Sequence, residues 1–164
     1  MMKKQSFFIE TYPIWLLASI KIALHFWVNV NDGIFRDELY YLACGNRLDF
    51  GYVDHPPFVA LVAALSLKLF GDSVFAIRLF PTLAGAGVIV LTGFLTREMG
   101  GNRFAQFLAG LSVLLAPLFL GIHGFLSMNV FDHLSWLIAL CLLALIARKD
   151  CIYLWALLGV VLGV

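Results

Sequence analysis

Between Val74 and Thr96 the chain runs for 23 residues with a single charge, Arg78. A helix needs about 20 apolar residues to cross a hydrocarbon core roughly 30 Å thick. Three further runs, 12–30, 104–126 and 129–147, reach that length, and a fifth starts at Ile152 and meets the chain end at Val164. Hydrophobic residues make up 62% of the 164 and charged residues 13%, where soluble domains carry about a quarter charged. The expectation is an all-α polytopic membrane protein with about five spans (12–30, 74–96, 104–126, 129–147 and 152–164), the last truncated. A stop in mid-helix reads as the N-terminal piece of a longer protein, expected to be inactive alone. The basic residues are scattered, so nothing points to nucleic acid.

The run 57–70, "PFVALVAALSLKLF", decides the topology. At 1.5 Å per residue it reaches only about 21 Å, short of the core. If it does not cross, Lys3/Lys4, Arg97/Arg103 and Arg148/Lys149 share one side, as the positive-inside rule requires of the cytoplasm. If it crosses, the bias breaks down. The segment 31–73 is therefore expected outside, with 57–70 lying along the interface. Pro56 and Pro57 suit its first turn, and Lys68 can snorkel to headgroups. Lys3 and Lys4 also resemble the start of a signal sequence, but no small-residue cleavage site closes the run, so an uncleaved first span is expected. "YLACG" follows a charged loop and not an apolar h-region, which rules out a lipoprotein box. Cys44, Cys141 and Cys151 form no CxxC pair, and Cys141 and Cys151 read as buried small hydrophobes.

Charge collects in that outer segment. Asp32, Asp37, Glu38, Asp49 and Asp54 are five of the ten acids, set against Arg36 and Arg47 for about −3. By the same parity Asp132 and His133 lie at the outer end of the fourth span. An ionisable residue at membrane depth costs about 2.5–3.5 kcal/mol on insertion scales and defaults to a functional role, although an acid capping a helix N-terminus would explain Asp132 as well. Asp37 and Glu38 are adjacent, so on a helix they point about 100° apart. One acid facing a cavity and the other braced by Arg36 or Arg47 is one reading; a solvated loop with incidental ion pairs is the other, and local sequence favours it. Asp54 and His55 precede a rigid turn and can hold a divalent metal or a phosphate. Arg78 is placed to meet a lipid phosphate at the interface, or simply to snorkel. Lys21, at the middle of the first span with His25 a turn away, needs a partner. Pro117 is expected to kink the third span, and "AGAG" at 84–87 to let a neighbouring helix approach.

Taken in order, "DE" after the first span, "YY" behind it, "GYxDHPP" before a short helix, "FAIRLFP" opening the second span and "SMNVFDHLSW" opening the fourth resemble the GT-C membrane glycosyltransferases. The most similar groups are the glycosyltransferase family 39, or dolichyl-phosphate-mannose protein mannosyltransferase-like, proteins and the lipid A aminoarabinose transferases. The resemblance runs over about 30–147. It implies a sugar transferred from a polyprenyl-phosphate donor to a protein, lipid or glycan acceptor at the extracytoplasmic face of a plasma membrane, a bacterial inner membrane by expectation, with the N-terminus cytoplasmic. It makes Asp37 the general base and Glu38 its neighbour in the dyad. Arg36, Tyr40, His55, Arg78 and Asp132 become candidate substrate or phosphate contacts, and Asp54 with His55 candidate ligands of a divalent metal. The aminoarabinose enzymes have Glu-Lys where this chain has Asp54-His55, and an arginine where it has Tyr40, so Arg36, Arg47 or Arg78 would compensate. A transporter or flippase, or a non-catalytic membrane subunit, are the rival classes. A transport site belongs near the midplane between repeated or broken helices, whereas this polar cluster lies at one face.

Overall fold

A computed structural model describes residues 7–29, 32–149 and 151–163. Lys3 and Lys4, the last residue of the first apolar run and Val164 lie outside the described residues. Among the described residues every regular element is a helix: α1 (Phe7–Asn29), α2 (Arg36–Gly45), α3 (Phe58–Phe70), α4 (Val74–Glu98), α5 (Arg103–Leu115), α6 (Pro117–Ile122), α7 (Met128–Ile146) and α8 (Ile152–Leu162). Three contain stretches long and apolar enough to cross a membrane: Thr11–Asn29, Val74–Glu98 and Met128–Ile146. The protein is an all-α membrane protein.

The third expected span is not one helix. The residue before a proline is pushed out of the α region, and Ala116 sits at φ −63°, ψ 121° in front of Pro117. What was expected as a kink is a full break, giving α5 and the six-residue α6. Neither piece alone has the length to cross a bilayer.

The helix α4 is the axis of the fold and packs against α1, α3, α5 and α7. Toward its middle and C-terminal half Ala86 and Ile89 meet Ile14, Leu17 and Ala18 of α1 and Leu114 of α5. Near its N-terminus Ile77 and Ala84 meet Tyr41, Val59, Val62, Ala63, Leu126, Val130 and Phe131. The second cluster draws α2, α3 and the start of α7 to one end of the bundle. The "AGAG" stretch admits an imidazole as well as a helix: a Cβ at Gly85 would lie 2.8 Å from the His123 side chain, while Gly87 faces Leu134 of α7.

One face of α3 is buried through Val59, Ala60, Val62, Ala63 and Ser66. The other exposes Leu61, Leu65, Leu69 and Phe70, with Lys68 also on the surface. Apolar residues on both faces suit a helix that packs on protein on one side and meets lipid on the other. Its last turn is tied to α4 through the Ser66 hydroxyl, which donates to the Ala76 carbonyl.

Lys21 is fully buried, and its Nζ donates to the Phe119 carbonyl at 3.0 Å. That carbonyl lies in α6 and also accepts from the His123 amide at 3.3 Å. The partner that a mid-span lysine requires thus comes from the broken third segment.

Candidate active site

Two adjacent acids open α2, and the fold gives them opposite environments. Glu38 is fully buried. Its Oε1 accepts from Arg78 Nε at 2.9 Å and from the Leu126 amide at 3.0 Å. Its Oε2 accepts from Arg78 Nη2 at 2.8 Å and from the Phe35 amide at 2.7 Å. A carboxylate offers about four lone-pair sites, so Glu38 has none left for a substrate proton. The Phe35 contact is the return half of a capping box, the third helical residue reaching back to the N-cap amide. Arg78 Nη2 also donates to the Gly33 carbonyl at 2.7 Å. One ion pair therefore binds the entry loop, α2, α4 and the loop before α7 together.

Asp37 points elsewhere. Its side chain keeps 46% of its surface, and Arg36 Nε donates to its Oδ1 at 3.2 Å. Arg36 is 91% exposed, and an ion pair in water contributes about 0–1 kcal/mol. Asp37 is thus the acid of the dyad free to take a proton.

Two expectations change here. The brace on Glu38 comes from Arg78, 40 residues away, and not from Arg36 or Arg47. Arg78 is in turn buried at 4% exposure and committed to Glu38, so it does not stand at the lipid interface awaiting a phosphate. Glu38 accordingly ties α2 to α4 and to the loop before α7.

The "DHPP" segment is pinned beneath the C-terminal end of α2. The Tyr52 hydroxyl shares its one proton between the Cys44 and Arg47 carbonyls, 3.0 and 2.9 Å away, and accepts from the Asp49 amide at 3.1 Å. His55 is buried, stacks on Tyr52 with centroids 4.7 Å apart, and meets the edges of Tyr40 and Tyr41 at 5.6 and 5.1 Å. Its Nδ1 lies 2.8 Å from the Pro56 carbonyl, an acceptor, so Nδ1 carries the proton. This three-tyrosine cage turns His55 inward, away from a phosphate in solvent. Tyr40 donates its phenol to Asp54 Oδ1 at 2.6 Å. That hydrogen bond to a carboxylate holds the Tyr40 phenol above the ordinary tyrosine range. Burial raises the Tyr41 phenol too, against an opposing hydrogen bond from the Met128 backbone.

The Asp54–His55 pair does not fit the divalent ion expected there. Asp54 is engaged by Tyr40, and among the described residues no three His, Cys, Asp or Glu side chains converge on a point. Asp132 is not a helix cap either. Helix α7 starts at Met128 after Ser127, which puts Asp132 in the second turn, on the wall of a cavity of about 400 Å³ with Pro56, Asn129 and Trp136.

What the sequence did not reveal is how many polar groups surround this end of the bundle without partners. His25 Nε2, Asn29 Nδ2, Thr82 Oγ1, Ser127 Oγ, His133 Nδ1 and both His123 nitrogens are buried and unpaired. Of these, His25 stood out in the sequence because it follows Lys21 by four residues on one helix face; His123 gave no local signal.

Fold and site together define a helical membrane protein with a buried ion pair organising an acid dyad at one end of its bundle. The family of dolichyl-phosphate-mannose-protein mannosyltransferases matches residues 54–164, most of the chain, and the chain belongs to it. It is a membrane glycosyltransferase of the GT-C type. The matched part holds α3 to α8 and Arg78, while the dyad lies ahead of it. No curated protein and no solved structure matches the chain.

Proposed function

We propose that the protein transfers a glycosyl unit from a polyprenyl-phosphate donor to a hydroxyl group of a protein, lipid or glycan acceptor at the extracytoplasmic face of the membrane. The single observation that carries this reading is the division of labour in the dyad. Every lone pair of Glu38 is occupied, and Asp37 beside it is exposed with an uncommitted oxygen.

In the proposed step Asp37 accepts the acceptor's hydroxyl proton as its oxygen bonds to the anomeric carbon. The anomeric carbon–phosphate oxygen bond breaks, and the phosphate leaves with the electron pair on its lipid. General base catalysis of this kind contributes about 10²–10⁴-fold. Arg36 and Arg47 are the exposed cations of the loop and are the candidates to meet the departing charge. The orientation rests on arginine placement: Arg97, Arg103 and Arg148 gather at the end opposite the dyad, as the cytoplasmic side demands.

Asp37→Asn in the whole protein tests the reading. Transfer from a polyprenyl-phosphate sugar should fall by about 10²–10⁴-fold while membrane insertion and thermal stability stay unchanged. Unaltered transfer would sink the assignment of Asp37.

A further inference from the structure

On α1, His25 and Asn29 are one turn apart and share a face. They are 3% and 4% exposed, yet His25 Nε2 and Asn29 Nδ2 have no hydrogen-bond partner. Both residues line an open cleft of about 520 Å³, whose wall also includes Asp32, Phe35, Arg78 and Phe125. That volume is in the range of small-molecule sites, which are mostly apolar with a few placed polar groups. Buried polar groups are almost always satisfied; two unsatisfied ones on one cleft wall mark where a partner arrives from outside the chain.

The charge balance of the wall selects the partner. Arg78 is the cation in this wall, and its guanidinium is spent on Glu38 and the Gly33 carbonyl. Asp32 adds a negative charge, so a phosphate gains nothing here. The remaining groups suit hydroxyls. The Asn29 amide donates to a hydroxyl oxygen, His25 Nε2 exchanges a hydrogen bond with one, and Asp32 accepts from one. The Phe35 and Phe125 rings, with centroids 5.0 Å apart, offer an apolar face to the C–H side of a ring. Asp37 is not on the wall of this cleft.

We infer that the cleft between α1 and α6 binds a neutral, hydroxyl-rich glycosyl ring away from the reacting centre, with His25 and Asn29 as the residues that read it. The inference rests on the glycosyltransferase reading but concerns a sugar that is held and not transferred.

The test uses the whole protein in zwitterionic-lipid nanodiscs and ligand-observed saturation-transfer NMR with a panel of p-nitrophenyl hexosides and pentosides. At least one glycoside should bind. Asn29→Leu, similar in volume but without hydrogen-bonding groups, should weaken it by about tenfold or more. Gly121→Phe is the second variant. It lines the same cleft, and a Cβ there meets nothing within 4 Å, so it fills the cleft without disturbing the core and should abolish binding. No binding by any glycoside, binding unchanged in both variants, or displacement of the glycoside by inorganic phosphate overturns the inference. Asp37→Asn separates the two readings. Intact transfer in that variant with glycoside still bound removes the assigned base and leaves the cleft standing. Lost transfer with no glycoside bound removes the cleft alone.

Discussion

Glu38 and Arg78 illustrate how strongly one buried pair can be held and how little that implies about net stability. Moving both charges out of water is costly, and only the full set of four hydrogen bonds offsets it. The consequence is asymmetric. Arg78→Met leaves a buried carboxylate with two orphaned lone pairs and should cost about 3–5 kcal/mol. At 4% and 1% side-chain exposure, salt will not screen this away. Replacing both partners, as Glu38→Leu with Arg78→Met, should recover part of the loss, because no charge is then left unpaired. Denaturant or thermal unfolding in detergent reads the cycle; additive losses in the double variant would contradict a direct pair. Arg78 was visible in the sequence as the single charge of an apolar run, open to a lipid phosphate or to snorkelling. Its partner was not, because it lies 40 residues back and the fourth hydrogen bond comes from an amide 88 residues on. No local pattern encodes either separation.

Apolar length made the helices legible, since a run near 20 residues has few other uses. It also failed in one place. The run 104–126 looks continuous by composition, but one proline shifts the residue before it to extended backbone and divides the segment. The break swings His123 beneath Gly85, where small residues had promised only close packing. That contact gives an element-scale prediction. Gly85→Ala places a methyl against an imidazole that is itself fully buried, and overpacking of this kind costs about 1–3 kcal/mol. His123→Ala should relieve the clash, so the Gly85→Ala/His123→Ala protein should unfold close to His123→Ala alone. If Gly85→Ala costs the same whether or not His123 is present, α4 meets something other than the α6–α7 connection. The short helix 57–70 was legible too, through its length, whereas the tyrosine cage that fixes the preceding His55 was not. Its three rings come from positions 40, 41 and 52, and only the docking of α2 on α3 brings them around one imidazole.

For the molecule as a whole, everything chemical in the proposal depends on which face of the membrane the dyad occupies. A lipid-phosphate sugar presents its phosphate at a membrane surface, and an extracytoplasmic enzyme must have its base at the outer one. The proposed orientation rests on the position of the arginines and not on their number. Arg97 and Arg103 flank the turn from α4 to α5, and Arg148 meets Glu98 at 2.9 Å beside it, so these three arginines crowd one end of the bundle. Asp32, Asp37 and Asp54 lie at the other, which the insertion rule leaves outside. Single cysteines can report the arrangement. Val53 is fully exposed beside Asp54, and Met99 is 78% exposed between Arg97 and Arg103. With Cys44, Cys141 and Cys151 replaced by alanine, a membrane-impermeant maleimide on intact cells should label Val53→Cys and leave Met99→Cys untouched until the membrane is opened. The reverse pattern would put the acids in the cytoplasm, where nucleotide sugars are made, and with them would go the lipid-phosphate donor. The positive-inside argument, the expectation that the short α3 does not cross and the choice of donor therefore stand or fall on one labelling pattern.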